Sequence, residues 1–163
     1  MTIIEPIHAG GSLTERAEAL GQVFATRAEN LDATDAFAAE NFAELKAAGF
    51  LEAAVPVELG GGGAEPSELA DMLRTLAHHC GSTALALAMH THQVAIPAWR
   101  WRHQKVAAVE PLLKRVAAER LMLISTGGAD WIGGSGEAVG VEGGYRITAK
   151  KVFCSASPVG DLM

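Results

Sequence analysis

The chain has 163 residues, a formal net charge of -6 and 49% hydrophobic residues. This length allows one domain with a sizeable core, or one domain and part of a second. The acidic balance argues against a general nucleic-acid-binding protein, because such proteins carry basic patches. No apolar run reaches membrane-spanning length, the start lacks a signal-peptide pattern, and Cys80 and Cys154 form no CxxC motif. We therefore expect a cytoplasmic protein that binds neither nucleic acid nor membrane.

Helical spacing of apolar residues dominates the first two-thirds of the chain. A first helix is predicted from Ser12 to about Asn30, and Ser12 and Glu15 form a capping box at its start. A second helix is predicted from residue 32 or 35 to residue 48, with Gly49 placed to cap its end. Three more helices are predicted, over residues 66–80, 82–100 and 104–119.

The segment between the second and third helices contains Pro56 and four consecutive glycines at 60–63. These residues break regular structure, while interleaved apolar residues indicate an ordered loop. The glycine run could suggest a phosphate-binding loop, but Glu65 stands where GxGxxG needs glycine and no GK[ST] follows. A tightly turning connection is the prediction. In the fourth helix, Pro97 is expected to kink or end the helix.

Histidines cluster in the third and fourth helices, at His78, His79, His90 and His92. Metal ligands on one helix face need a spacing of three or four residues, and His90 and His92 are only two apart. No metal site is therefore predicted. One of these histidines could line a cavity, because so apolar a helix must bury some polar groups.

After residue 120 the pattern changes from helical to extended. A short apolar strand is predicted at 121–124, a hairpin with its turn at 142–144, and a further strand at Val152-Phe153. So few strands supply neither partner strands nor a covered face for a sheet. We therefore expect a truncated chain, with a helical domain over residues 1–119 and an incomplete β domain over residues 120–163.

Two predicted strand ends carry hydroxyl groups. Ser125 and Thr126 follow the first strand, and Phe153, Cys154 and Ser155 belong to a later one. Strand-end amides and hydroxyls beside an aromatic ring would suit a planar cofactor that forms hydrogen bonds. The competing interpretation is that these serines and threonines only form turns.

Four segments, in this order, resemble the acyl-CoA dehydrogenase superfamily: residues 42–61, 81–90, 123–126 and 144–156. The resemblance implies an α+β protein with an all-α N-terminal domain, a β-barrel-like middle domain and a C-terminal four-helix domain. This chain would hold the first, the start of the second and none of the third. FAD, or FMN in some branches, is the implied cofactor, bound between the middle and C-terminal domains.

The resemblance also implies roles for individual residues. The flavin would be contacted by Leu123, Ser125, Thr126, Phe153, Cys154 and Ser155. Ser125 and Ser155 match the two flavin-bonding hydroxyls of the family, and Phe153 matches the aromatic residue beside the ring. His90 is the candidate to face a substrate cavity. The catalytic base is expected in the C-terminal domain, so no residue of this chain is assigned a catalytic role.

The sequence departs from the dehydrogenase pattern after Ser125. Residues 126–131 lack the glutamate and proline of the family's Thr-Glu-Pro stretch, and this resembles flavin monooxygenases of the same fold. Dehydrogenation of an acyl thioester is the leading prediction, with acyl-CoA as a possible small-molecule substrate. One alternative is a monooxygenase that uses reduced flavin and oxygen, with a flavin reductase as partner. Another is a non-catalytic interaction fragment. A homo-oligomer is implied for the full-length protein.

Overall fold

The computed structural model describes residues 11–126 and 136–163. Five α-helices precede two strands in this part of the chain: α1 (Leu13–Thr34), α2 (Ala39–Ala47), α3 (Pro66–His79), α4 (Gly81–Gln104), α5 (Glu110–Glu119), β1 (Gly136–Val141) and β2 (Gly144–Ala149). Short 3-10 turns occupy Val57–Leu59, Ala107–Val109 and Ser157–Val159. The predicted order, helices followed by strands, is confirmed. No helix in the described ranges is both long and apolar enough to cross a membrane.

The predicted caps of the first two helices are present. The Ser12 N–H donates to the Glu15 carboxylate at 2.7 Å, and the Glu15 N–H donates to the Ser12 hydroxyl at 3.2 Å. At the end of α2, Gly49 has φ +78° and the Phe50 N–H donates to the Leu45 carbonyl at 3.1 Å. This left-handed glycine with its backward hydrogen bond is a Schellman cap.

Four helix boundaries differ from the predictions. Helix α2 begins at Ala39 and not at residue 32 or 35, because α1 occupies the chain as far as Thr34. Helix α1 continues past Asn30 to Thr34, because no glycine or proline interrupts it before Asp35 adopts a left-handed conformation at φ 53°. Helix α4 passes through Pro97, so this proline does not end it. Val94 and Ala98, which flank Pro97, are buried, and this packing offsets the backbone hydrogen bond that proline cannot make. Helix α4 ends instead at left-handed Lys105, and α5 therefore begins later than expected.

The core lies where α1 packs on α3 and α3 packs on α4. The loop between α2 and α3 folds back on itself, because the N–H groups of Gly62 and Gly63 donate to the carbonyls of Glu52 and Val55 at 3.0 and 2.8 Å. A Cβ at Gly61 would lie 2.4 Å from the Val55 carbonyl oxygen. The glycines therefore permit close backbone contact, as expected for a tightly turning connection.

Strands β1 and β2 form an antiparallel hairpin in which Val141 pairs with Gly144, so the predicted turn at 142–144 is confirmed. Both strands are exposed along their whole length. The strand predicted at 121–124 is not a continuous strand, because that segment forms only isolated bridges at Leu123 and Ser125. The predicted strand at Val152-Phe153 is wrong. Phe153 has φ 55°, and its carbonyl accepts the Ser155 N–H at 2.9 Å, so the chain turns tightly there.

Candidate functional site

The two hydroxyl-bearing segments lie side by side. Ser125 and Ser155 are partners in an antiparallel β-bridge, and Leu123 is the partner of Leu162 in a parallel one. Thr126 directly follows the first segment, and Phe153 and Cys154 directly precede Ser155. The fold thus brings together the residues that the sequence analysis selected. Their contact with a cofactor stays a prediction.

The exposure of these side chains differs sharply. Leu123 is 4% exposed and Ser125 is 3% exposed, whereas Phe153 is 79% exposed. The first strand of the bridge is therefore buried, whereas the aromatic ring two residues before Ser155 is open to solvent. A planar ring system could stack on that ring while its polar edge meets the backbone and hydroxyls of the bridge. The residues present fit a flavin.

Asp161, near the end of the chain, binds the segment 122–126 that carries Ser125. Its carboxylate accepts the Met122 N–H at 2.8 Å and pairs with the Lys46 ammonium of α2 at 3.2 Å. The hydrogen bond from Met122, together with Lys46, lowers the pKa of Asp161 below its ordinary value. The Ile124 N–H also donates to the Leu162 carbonyl at 2.7 Å, so this side of the segment is held by several backbone contacts.

His90 holds the same segment from the helical side. Its Nδ1 accepts the Leu123 N–H at 2.9 Å, and its Nε2 lies 2.9 Å from the Leu51 carbonyl. An acceptor at Nδ1 has no proton, so the proton of the neutral ring is on Nε2 and is donated to Leu51. The ring is 1% exposed, and burial lowers the pKa of His90. That His90 faces a substrate cavity stays a prediction.

Gln93 also binds this segment, a role that was not predicted from the sequence. Its side-chain nitrogen donates to the Ile124 carbonyl at 3.0 Å. Gln93 lies three residues after His90 on α4, on the same side of the helix. Their spacing of three residues places both side chains on one face of α4, and this spacing is the sequence signal for the pair.

A cavity of about 290 Å³ lies beside the segment, next to Met122. It is lined by Ala39, Phe42, Ala43, Lys46, Leu51, Met122 and Val159. Its walls are mainly apolar, and its volume is near the lower limit for small-molecule sites. In the described ranges, no cluster of three or more histidine, cysteine or acidic side chains could hold a metal ion.

Comparison with known proteins adds to this geometry. The family model for the acyl-CoA dehydrogenase N-terminal domain matches residues 13–115. L-evernosamine nitrososynthase from Micromonospora sp. is 29% identical over 141 residues, which cover 81% of this chain and 32% of that protein.

Solved structures that share the fold include two monooxygenases. Methanesulfinate monooxygenase from Pseudomonas fluorescens aligns with a TM-score of 0.80 and 21% identity, over 94% of this chain and 38% of that one. FMN-bound dibenzothiophene monooxygenase from Paenibacillus sp. A11-2 aligns with a TM-score of 0.77 and 18% identity, over 93% of this chain and 38% of that one. The chain thus spans well under half the length of these relatives.

Proposed function

The chain belongs to the acyl-CoA dehydrogenase family, whose N-terminal domain it contains, and from this premise we propose that it is part of a flavin-dependent oxidoreductase of the monooxygenase type. The observation that carries the proposal is the pairing of Ser125 with Ser155 beside the exposed ring of Phe153. Such a site offers hydroxyls to the edge of a flavin and an aromatic surface to its face.

Each residue of the site has a distinct task in this proposal. Ser125, Thr126 and Ser155 bind the polar edge of the flavin, and Phe153 lies beside the ring and shields it from water. Leu123 closes the buried side of the site. Bound in its reduced form, the flavin supplies the electrons for oxygen activation. FMN is our first choice of cofactor, because one relative of this fold is FMN-bound, and FAD is the alternative.

The monooxygenase type is favoured by two observations. The relatives of this fold include a nitrososynthase and two monooxygenases. Residues 126–131 also lack the Glu-Pro pair that belongs to the dehydrogenase pattern. A separate flavin reductase, a small-molecule substrate and a homo-oligomeric assembly are part of the proposal.

Dehydrogenation of an acyl-CoA thioester is the second candidate. It is favoured by the match to the dehydrogenase family model and by the loop at residues 56–61 that resembles the family pattern. In that case the catalytic base would lie outside this chain. A non-catalytic interaction fragment is the third candidate, and its mark would be a stable protein that binds no flavin.

Flavin binding is the first test. The protein is titrated with FMN and FAD, and binding is followed by the change in flavin fluorescence. Ser125→Ala and Ser155→Ala should each weaken the binding by about 1 kcal/mol or more, the usual cost of a lost hydrogen bond. Ser157→Ala is the matched control, because Ser157 is exposed and lies next to the bridge in the same segment. Unchanged affinity in both test variants would refute the site.

The reaction type is tested next on the full-length protein, with the flavin in each oxidation state. With flavin reduced by light, oxygen consumption without acyl-CoA, in excess of the reaction of the same free flavin with oxygen, supports a monooxygenase. With oxidised flavin, acyl-CoA-dependent reduction of a dye supports a dehydrogenase. If the full-length wild-type protein binds neither FMN nor FAD, both enzymatic candidates are excluded and the interaction fragment is the better account.

A further inference from the structure

Two side chains of α4 bind successive residues of the segment that carries Ser125. His90 accepts the Leu123 N–H at 2.9 Å, and Gln93 donates to the Ile124 carbonyl at 3.0 Å. These are backbone groups that a neighbouring strand would satisfy in a sheet. Here side chains of α4 satisfy these backbone groups, at Leu123 and Ile124, directly before Ser125.

The His90 ring connects three parts of the protein. It lies on α4, its Nε2 donates to the Leu51 carbonyl in the glycine-rich loop, and its Nδ1 accepts from Leu123. His90, Leu51 and Leu123 are all buried, so the ring is the hydrogen-bonding partner that replaces water for both backbone groups. A buried backbone group without a partner is costly, so the ring determines where the segment lies.

We propose that His90 is a positioning residue, which together with Gln93 fixes the segment 122–126, and with it Ser125, against the helical part of the protein. The contact itself is independent of any cofactor. Its consequence for flavin binding rests on the proposed function.

The positioning requires a neutral ring. A proton on Nδ1 would oppose the Leu123 N–H and remove the acceptor. The charged and titratable groups around the ring are His92 on the same helix, Asp161 of the C-terminal segment, which is paired with Lys46, and Glu52, which follows Leu51 and pairs with Arg120. Burial of the ring disfavours the charged form.

Two substitutions separate the two hydrogen bonds. In His90→Asn, the amide oxygen can take the place of Nδ1 and keep the acceptor for Leu123. In His90→Gln, the amide nitrogen can take the place of Nε2 and keep the donor to Leu51. Thr91→Val is the control, because Thr91 is buried on the same helix but bonds only the Leu87 carbonyl of its own helix.

The first readout is hydrogen exchange of the Leu123 amide by NMR. We expect exchange at least about tenfold faster in His90→Gln, and within about threefold of wild type in His90→Asn and Thr91→Val. The second readout is the dissociation constant for FMN and FAD, which should follow the same order. In wild type, ¹⁵N NMR of the ring should show Nδ1 without a proton.

The outcomes distinguish failure of the positioning role of His90 from failure of the proposed flavin-dependent function. Equal Leu123 exchange in His90→Gln and wild type, or a proton on Nδ1 of the wild-type ring, overturns the contact, and the ring spectrum decides even if a variant fails to fold. Faster Leu123 exchange with unchanged flavin affinity overturns the positioning role. A full-length wild-type protein that binds neither FMN nor FAD defeats the proposed function instead, while the exchange data still decide the contact.

Discussion

The Met122 N–H donates to the Asp161 carboxylate at 2.8 Å, although the two residues lie in different segments of the chain. The same carboxylate pairs with Lys46, so Asp161 connects α2, the segment before Ser125 and the end of the chain. The opposite side of that segment is bound by His90 and Gln93. Residues 122–124 are therefore held from two sides by side chains as well as by backbone contacts.

Asp161→Asn should reduce stability in a pH-dependent way. The folded-state pKa of Asp161 is lowered, so its contribution is present above its ordinary pKa of about 4 and is lost as the pH falls through the lower folded value. Because the side chain is partly exposed, we expect a loss of about 1 kcal/mol at pH 7. Urea unfolding of wild type and Asp161→Asn at pH 7 and pH 3 measures this difference in the free energy of unfolding.

Asp71→Asn is the control for this change, since Asp71 is more exposed and pairs only with Arg74 one helical turn away. It should change stability by a few tenths of a kcal/mol at most. A difference between Asp161→Asn and wild type that is the same at both pH values would contradict the proposed linkage.

Asn41→Leu should be strongly destabilising. Asn41 is fully buried, accepts a hydrogen bond from Arg27 at 2.7 Å and donates one to the Thr83 hydroxyl at 2.9 Å. Leucine would remove the hydrogen bonds that Asn41 makes with Arg27 and Thr83. We expect the free energy of unfolding to fall by roughly 2–3 kcal/mol. Chemical denaturation measures the loss. Asn30→Leu, at an exposed position of α1, should change stability little, and equal effects of the two substitutions would contradict the assignment.

Stability should also depend on pH through His90. Its folded pKa lies below 6.5, so the unfolded state binds more protons as the pH falls below that value. The contribution of His90 is therefore fully present above about pH 6.5 and decreases below it. We expect the wild-type melting temperature to fall more between pH 7.5 and pH 5 than that of His90→Asn.

The control for this comparison is His103→Asn, because His103 is exposed and lies against Trp99 at the end of α4. That variant should keep the full wild-type pH dependence. A His90→Asn protein with the same pH dependence as wild type would show that the ring binds a proton as readily in the folded state as in the unfolded state, and hence that burial does not lower its pKa.

Features set by neighbouring residues could be predicted from the sequence. The Ser12 capping box, the Gly49 cap and the hairpin turn each depend on a few adjacent positions. The left-handed Phe153 and the continuation of α4 past residue 100 to Gln104 could not be predicted, because packing and turn contacts override local preference there.

The same reasoning applies to the candidate site. The resemblance selected Ser125 and Ser155, which the fold pairs, but nothing in the sequence indicated that His90 binds the Leu123 backbone. That hydrogen bond joins residues far apart in the chain and depends on how α4 lies against the segment. Such contacts follow from the tertiary arrangement and have no local pattern.

Gly61→Ala tests whether the glycine run serves the backbone path of the loop. A Cβ at this position would lie 2.3 Å from the Val55 Cβ and 2.4 Å from its carbonyl oxygen, so the loop would have to move. Its neighbours Gly62 and Gly63 make the hydrogen bonds that hold the loop, and these would be strained as well. We expect a loss of about 2 kcal/mol or more in the free energy of unfolding, measured by chemical denaturation.

Gly81→Ala is the matched control for Gly61→Ala. Gly81 begins α4, and a Cβ there would meet no atom within 4 Å. Alanine also has the higher helix propensity, so this variant should be neutral or more stable by up to about 1 kcal/mol. Opposite signs for the two variants would show that close backbone contact requires glycine at position 61. If Gly61→Ala were as stable as Gly81→Ala, the turn would not require glycine at position 61.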